Sequence, residues 1–230
     1  MKISQNNRKI GYTHSSVSGS FPFRGEKSIS FESTLERDLL AVLEYTPFVI
    51  DVIEQPVTIE YKNSNDREVT YTPDFLVHYR TPHSLGVYPS RISQLIEVKP
   101  QKILKKKWLE LRPKFKIGVA YAKQQGWKFC IYDESRIRGQ YLKNIHFLNR
   151  YKIYQFDQYQ SERIISHLHA MGHTAIDHLL EFLYIKEDDK GIALSQVWQL
   201  LANKELACDM TLPLNLGTVI WRNIDEPYEG

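Results

Sequence analysis

In two short segments of the sequence, charged residues border or interrupt a run of apolar residues. In YTPDFLVHY, Asp74 follows Pro73, and in SQLIEVKPQK, Glu97 and Lys99 stand on either side of Val98. Alternate residues of a strand project from the same face, so Glu97 and Lys99 should lie side by side. Two carboxylates from neighbouring strands form an oxygen-rich site that suits Mg²⁺. With a lysine to position hydroxide or neutralise developing charge, such a site suits phosphodiester hydrolysis.

Each segment also has a purely structural explanation. Glu97 and Lys99 could belong to an edge strand whose charges prevent aggregation, or to a half-exposed strand with an ion pair on one face. Asp74 could be a turn residue at the start of a strand. The combination favours chemistry, because rigid strands hold ligands better than loops do.

The surrounding sequence predicts the elements that would position these residues. A helix is expected over FESTLERDLLAVLEY, with Ser33 or Thr34 as its N-cap. Three strands of a meander follow, in FVIDVIEQPVTIEY, EVTYTPDFLVHY and QLIEVKP, and Gln55 and Pro56 are expected to shape one long strand. A long basic helix, KILKKKWLELRPKFKIGVAYAKQQ, should break at Pro113, and GWKFCIYD should be a further strand. This order predicts an α/β layered fold.

Composition indicates a globular chain with an uneven charge distribution. The 230 residues carry a net charge of +3, but residues 1–156 hold 25 Lys+Arg against 15 Asp+Glu, and residues 157–230 hold 5 against 12. These counts give +10 and −7. The first part should therefore attract nucleic acid, and the second should favour a basic protein surface.

Other functional classes find little support in the sequence. No apolar run approaches a membrane span and the N-terminus lacks a signal-peptide pattern, so we expect a cytoplasmic protein. The two cysteines, Cys130 and Cys208, are too few for a disulfide framework. Four histidines lie close together in sequence, but without a cysteine or a convergent carboxylate pattern they do not predict a metal site. These are His167, His169, His173 and His178.

Taken together, these segments resemble a known family. Pro73-Asp74 followed by Glu97-x-Lys99, with an acidic helix upstream, resembles the PD-(D/E)xK nuclease superfamily. The run ESTLERDLLAVLEYTPFVIDVIEQP, leading into YTPDFLV, LIEVKP and GWKFCIYDE, resembles the TnsA-type endonuclease subunit of heteromeric cut-and-paste transposases. The resemblance covers residues 24–150 and implies a restriction-endonuclease-like mixed sheet flanked by helices.

The resemblance also implies roles for individual residues. The helix acid of the family matches Glu36, the strand acids match Asp74 and Glu97, and the lysine matches Lys99. These four residues would be catalytic, and the three carboxylates would bind Mg²⁺, for which Mn²⁺ could substitute. Glu32 lies one helical turn before Glu36 and is the alternative helix acid. We prefer Glu36, because the family match falls there and Glu32 can serve the helix N-terminus.

Basic residues near these acids are candidates for DNA contact. Lys102, Lys105 and Lys106, with the adjacent Lys107, follow the catalytic strand and could hold a phosphate backbone, although a solvated helix face is the simple alternative. Arg24, with Lys27 beside it, is a further candidate in the segment before the first helix.

The C-terminal part predicts a separate domain. SERIISHLHAMG, TAIDHLLEFLYI and ALSQVWQLLANKEL are amphipathic helical stretches, and ACDMTLPLNLGTVIW could form a hairpin, which together predict a small, mostly helical, winged-helix-like domain. The third helix offers one basic residue, Lys204, beside Glu205, which favours protein docking over DNA binding. We therefore expect a basic irregular arm over 1–30, a nuclease domain over 31–156 and a docking domain over 157–230.

The resemblance finally implies an activity and partners. The chain would cleave the 5′ strands at transposon ends in double-stranded DNA, together with a DNA-joining transposase subunit and an ATPase regulator that contacts residues 157–230. It would act in the bacterial cytoplasm, at the nucleoid when assembled. A restriction-type or junction-resolving nuclease shares the same chemistry, and a non-catalytic nucleoprotein adaptor could keep the same fold.

Overall fold

The chain forms two compact units. The structure, a computed structural model, describes residues 17–63, 65–80 and 92–223. The first unit ends at Ile137 and the second begins at Arg138. In the described ranges, no helix has both the length and the apolar character needed to cross a membrane.

The first unit is a mixed α/β structure. Its described elements are β1 (Gly19–Phe23), β2 (Lys27–Phe31), α1 (Thr34–Tyr45), β3 (Val49–Glu54), β4 (Ile59–Lys62), β5 (Glu68–Tyr71), β6 (Phe75–Tyr79), β7 (Gln94–Val98), α2 (Gln101–Gln124), β8 (Lys128–Tyr132) and α3 (Glu134–Ile137). The main sheet has the order β3-β6-β7-β8. Its first three strands are antiparallel, and β8 pairs with β7 in parallel. The predicted restriction-endonuclease-like α/β fold is confirmed.

The two faces of this sheet are buried by different elements. On one face, Ile96 and Val98 of β7 pack in a core that includes the leucines of α1 and apolar residues of β1 and β2. On the other face, Leu95 packs with Leu76 and with Ala122 of α2. Because successive residues of a strand point to opposite faces, the side chain of Glu97 belongs to the face that α2 covers.

Helix α1 begins where the sequence predicted. The hydroxyl of Ser33, the N-cap residue, accepts the backbone N–H of Glu36 at 3.2 Å. The leucines at helical spacing are buried: Leu35, Leu39, Leu40 and Leu43. The capped start and the buried face together fix α1 against the sheet, with Glu36 in its first turn.

The segment predicted as an irregular arm is a hairpin in its described part. Strands β1 and β2 pair in antiparallel fashion, and Phe23 and Ile29 are each only 2% exposed. The turn between them uses positive φ angles at Arg24 (52°) and Gly25 (72°), which suit a tight hairpin connection. Alternating apolar residues therefore outweighed the polar composition of this segment. Residues 1–16 of the predicted arm lie outside the described residues.

Two of the predicted long strands are each broken in two. Gln55 has φ 43°, and the chain leaves the main sheet there, so β3 and β4 belong to different sheets. Strand β4 instead pairs with β5, and Pro73 separates β5 from β6. The expected role of Gln55 and Pro56 within one long strand was wrong, because a left-handed residue followed by a proline ends the ladder of hydrogen bonds.

Helix α2 breaks at a different residue from the predicted one. Pro113 lies inside the helix, and the non-helical backbone is at Lys107 (φ −115°, ψ 20°). The distortion lies six residues before the proline, beyond the carbonyl of Leu109 that its ring would meet. The helix thus continues through Pro113.

The second unit is mostly helical. Its described elements are α4 (Gln140–Leu148), α5 (Gln158–Met171), β9 (His173–Ala175), α6 (Ile176–Leu183), α7 (Glu187–Ala202), β10 (Leu206–Cys208) and β11 (Val219–Arg222). Its three strands form an antiparallel sheet of order β10-β11-β9. A helical domain after the nuclease-like unit is confirmed.

The boundary between the units lies before the predicted one at residue 156. Helix α4 belongs to the second unit, where Phe147 meets Trp198 with ring centroids 5.2 Å apart, and Asn144 donates to the carbonyls of Met210 and Leu212. This boundary also assigns the four basic residues between 138 and 156 to the second unit. The first unit then has 21 Lys+Arg against 15 Asp+Glu, or +6, and the second has 9 against 12, or −3. The first unit is still positive and the second still negative, but the difference in net charge between them falls from 17 to 9.

We predict opposite stability effects at two helical glycines. A Cβ at Gly118 of α2 would lie 2.7 Å from Phe129 and 3.0 Å from Tyr71, whereas one at Gly191 of α7 meets nothing within 4 Å. Gly118→Ala should lower the free energy of unfolding by about 1–3 kcal/mol through overpacking. Gly191→Ala should raise it by up to about 1 kcal/mol through helix propensity.

Urea unfolding followed by circular dichroism measures both changes. A Gly118→Ala protein as stable as the wild type would contradict the close packing of α2 on the sheet.

Candidate active site

Glu97 lies in the interior of the first unit. It is in β7, which has β6 on one side and β8 on the other, and its side chain is 1% exposed. An edge strand and a half-exposed strand, the two structural explanations for this residue, are therefore both wrong. A buried carboxylate is costly unless charge and hydrogen bonds compensate it, so its partners decide its role.

Asp74 is tied to β7 through both its backbone and its side chain. Its N–H donates to the Ile96 carbonyl at 3.0 Å, and its Oδ2 accepts the Val98 N–H at 2.6 Å. Its own carbonyl accepts the N–H of Gln55 at 2.8 Å. Asp74 lies between Pro73 and the first residue of β6, and its side chain reaches the last residue of β7. Asp74 thus directly precedes β6, the strand beside β7, and irregular backbone next to a regular sheet holds it in one direction.

Lys99 lies beside both acids. Its Nζ is 3.1 Å from Glu97 Oε1 and 3.8 Å from Asp74 Oδ2, and it also donates to the Val98 carbonyl at 3.1 Å. Burial acts to lower the pKa of Lys99, but the charges of Asp74 and Glu97 outweigh it and raise the pKa above its usual value. Lys99 is therefore a cation, and it bridges the two carboxylates.

Glu36 faces this cluster and also caps its own helix. Its carboxylate accepts the Ser33 hydroxyl at 2.8 Å and the Glu32 N–H at 2.7 Å, as in a capping box. Burial raises its pKa, and the positive charge of Lys99 opposes the rise. Glu32 is exposed and accepts the Gln55 side-chain amide at 3.3 Å. Glu36 is thus the acid at the start of α1 whose charge acts on Lys99 and Asp74, and the exposed Glu32 lies beside it.

The carboxylates together leave the site short of positive charge. Burial raises the pKa of Asp74 to about 7, Lys99 opposes this shift, and the charges of Glu97 and Glu36 add to it. The Asp74 side chain remains 22% exposed, so a ligand can reach it. A partly accessible acid among other acids is a place where an added cation is stabilising.

Two residues of the site were missed by the sequence reasoning. The Tyr71 hydroxyl donates to Glu97 Oε2 at 2.8 Å, and Lys114 Nζ donates to Glu97 Oε1 at 2.9 Å. Burial, followed by the charge of Glu97, raises the pKa of Tyr71, which keeps the phenol protonated as a donor. No local signal marks either residue, because one ends a short strand and the other is one of many lysines in α2.

The predicted DNA-binding residues fall into two groups. Lys102, Lys105 and Lys106 are exposed in the first turns of α2, shortly after β7. Arg24 instead donates to the Thr46 carbonyl at 3.0 Å, and Lys27 forms an ion pair with Asp51. The observed Arg24 bond is structural, because it ties the hairpin to the C-cap of α1, and a DNA contact by Arg24 stays a prediction.

The donor set available for a metal is smaller than the predicted set of three. Within residues 17–63, 65–80 and 92–223, no three His, Cys, Asp or Glu side chains converge closely enough to hold an ion together. Glu97 in β7 and Asp74, directly before β6, offer carboxylate oxygens, with Lys99 beside both. Two carboxylates can suffice for Mg²⁺, which usually keeps several waters.

Two family models match the chain, one for each unit. The model described as TnsA-like endonuclease N terminal matches residues 46–134, and the model described as TnsA endonuclease C terminal matches residues 136–210. The first range contains Asp74, Glu97 and Lys99, and the division between the ranges falls near the structural boundary after Ile137. No curated protein matches the chain. The two matched ranges hold 89 and 75 residues, or 164 of the 230 in the chain. The chain therefore belongs to the TnsA endonuclease family.

Proposed function

We propose that this transposase nuclease subunit is a divalent-metal-dependent DNA endonuclease that cleaves the 5′ strands at transposon ends. The observation that carries the proposal is that Asp74, hydrogen-bonded to β7, and Glu97 within β7 both have Lys99 within 3.8 Å. A buried network with a structural role alone would have no reason to keep Asp74 accessible and short of positive charge.

The residues present fit a hard divalent ion. Asp74 and Glu97 would hold it, with Glu36 able to contribute through a water molecule, and Mg²⁺ suits these oxygen donors, with Mn²⁺ as a substitute. When bound, the ion supplies an activated water and stabilises negative charge on the phosphate oxygens.

The protein residues would position the reaction around this site. The Val98 N–H donates to Asp74 Oδ2, which fixes the direction of the Asp74 carboxylate. Lys99, as an ammonium, would donate to the attacking oxygen or to a phosphate oxygen that gains negative charge. The exposed lysines of α2 (Lys102, Lys105 and Lys106) would hold the backbone of the strand being cut.

We further propose that the second unit is a winged-helix-like module for docking proteins. From α5 to β11, its elements run helix, strand, helix, helix, strand, strand, and its three strands share one sheet. The third helix of this series, α7, begins with Glu187, Asp188 and Asp189; it contains Lys190, and the predicted Lys204 lies beyond its end at Ala202. The three acids would repel the phosphates near a recognition helix. A net charge of −3 instead supports a basic partner surface, on the DNA-joining subunit or the ATPase regulator.

Asp74→Asn should reduce strand cleavage by at least about 100-fold, because it removes a charge from the reacting site. Asparagine keeps an oxygen that can accept the Val98 N–H, so the thermal midpoint should not fall. The measurement is cleavage of transposon-end DNA by the reconstituted transposase. Asp66→Asn, in an exposed turn, is the matched control. Cleavage by Asp74→Asn near the wild-type rate would remove Asp74 from the active site.

Glu36→Gln should reduce cleavage far more than Glu32→Gln. The carboxylate of Glu36 acts on the charges of both Asp74 and Lys99, whereas Glu32 is exposed at the helix start. The same reconstituted cleavage assay compares the two variants, and thermal unfolding corrects for any loss of helix capping. The reverse order of effects would make Glu32 the helix acid.

Replacing Lys105 and Lys106 with alanine should weaken DNA binding and flatten its salt dependence. The slope of log K against log salt should fall by about 0.9 for each phosphate that the protein no longer neutralises. DNA titrations of the full chain at several salt concentrations give this slope. Lys186→Ala, an exposed lysine of the second unit, is the control and should leave the slope unchanged. An unchanged slope in the double variant would move the DNA path away from α2.

A further inference from the structure

The Glu97 carboxylate has two ammonium partners on one oxygen. Lys114 Nζ is 2.9 Å and Lys99 Nζ is 3.1 Å from Glu97 Oε1, while the Tyr71 hydroxyl donates to Oε2 at 2.8 Å. One ammonium would balance the single charge of Glu97. Lys99, however, is shared between Glu97 and Asp74, whereas Lys114 pairs with Glu97.

Lys114 is held in place by its surroundings. It follows Pro113 in α2, and its Nζ lies 5.0 Å from the ring centroid of Tyr71 and 5.3 Å from that of Phe115. These distances lie in the range of cation–π attraction, which directs the ammonium toward Glu97. Its side chain is 24% exposed, so water reaches it only in part. The same aromatic ring that donates to Oε2 thus also fixes the cation on Oε1.

The Lys99 ammonium is shared among several acceptors. Lys99 is the residue that immediately follows β7, and it can reach Glu97, Asp74 and the Val98 carbonyl. A lysine that must neutralise Glu97 is less available to a reacting phosphate. If Lys114 carries the charge of Glu97, Lys99 can turn to the substrate without leaving a buried carboxylate uncompensated.

We propose that Lys114 is a positioning residue for DNA cleavage, which holds Glu97 Oε1 so that Lys99 is available at the reacting phosphate. This inference rests on the metal-dependent cleavage proposed above. Lys114 acts through Glu97 and does not touch the phosphate itself. Tyr71 completes the arrangement by fixing the other oxygen of the same carboxylate.

A positioning role for Lys114 predicts a combined change in ion affinity and cleavage rate that a purely structural role does not predict. Glu36, Asp74 and Glu97 face the two ammonium groups of Lys99 and Lys114. Removal of the Lys114 charge makes the site more negative, so a divalent ion should bind more tightly. Cleavage should nevertheless slow, because Glu97 loses its fixed direction and retains Lys99.

The experiment compares full-length Lys114→Met with Lys116→Met, an exposed lysine on the same helix. Mn²⁺ binding is measured by calorimetry without DNA, and cleavage in the reconstituted reaction. Lys114→Met should bind Mn²⁺ several-fold more tightly and cleave roughly 10- to 100-fold more slowly, as outer-shell substitutions do. Lys116→Met should match the wild type in both, and Lys114→Arg should recover most of the cleavage, because it restores the charge.

Tyr71→Phe tests the orientation of the Glu97 carboxylate without changing the charge of the site. It removes the donor to Glu97 Oε2 and leaves every charge in place, so cleavage should slow without tighter Mn²⁺ binding. Thermal unfolding of each variant shows that the measured protein is folded. Unchanged cleavage in Lys114→Met, or Mn²⁺ binding that is unchanged or weaker in that variant, would overturn the role of Lys114.

Asp74→Asn distinguishes failure of this inference from failure of the proposed function. If Asp74→Asn loses both Mn²⁺ binding and cleavage while Lys114→Met behaves as the wild type, only the role of Lys114 is wrong. If Asp74→Asn keeps both, the metal-dependent function proposed for this site is wrong as well.

Discussion

The burial of Glu97 in a central strand is the constraint on which the rest of the first unit depends. A carboxylate with 1% exposure requires compensating charge and hydrogen bonds, since water cannot supply them. Three elements provide these partners: Lys99 at the end of β7, Lys114 in α2 and Tyr71 in β5. The position of α2 on the sheet and the pairing of β4 with β5 therefore serve the site as well as the core.

The two units differ in charge and in architecture, which suits a division of labour. The first unit, at +6, carries the acids, the lysines of the site and the exposed lysines of α2. The second, at −3, presents acids at the start of α7, where a DNA-reading helix would present basic or polar residues. A nuclease that binds naked DNA weakly and depends on partner proteins for its target is consistent with this contrast.

The sequence by itself determined the features that depend on local signals. Periodicity placed α1 and β7, residue types narrowed the N-cap of α1 to Ser33 or Thr34, and the pattern around Pro73 and Val98 identified Asp74, Glu97 and Lys99 as neighbours. The family match added Glu36. In each case the information lies within a few residues of the element concerned, which is the range over which propensity and side-chain period act.

Only the tertiary structure decided the features that depend on distant contacts. Tyr71 and Lys114 are 26 and 17 residues from Glu97, and nothing near either one in sequence points to that carboxylate. The hairpin of β1 and β2 forms because Phe23 and Ile29 find a core built by α1 and the main sheet. The unit boundary likewise moved because α4 packs on α7, some fifty residues later in the chain. Burial against remote elements, which local sequence does not encode, settled each of these outcomes.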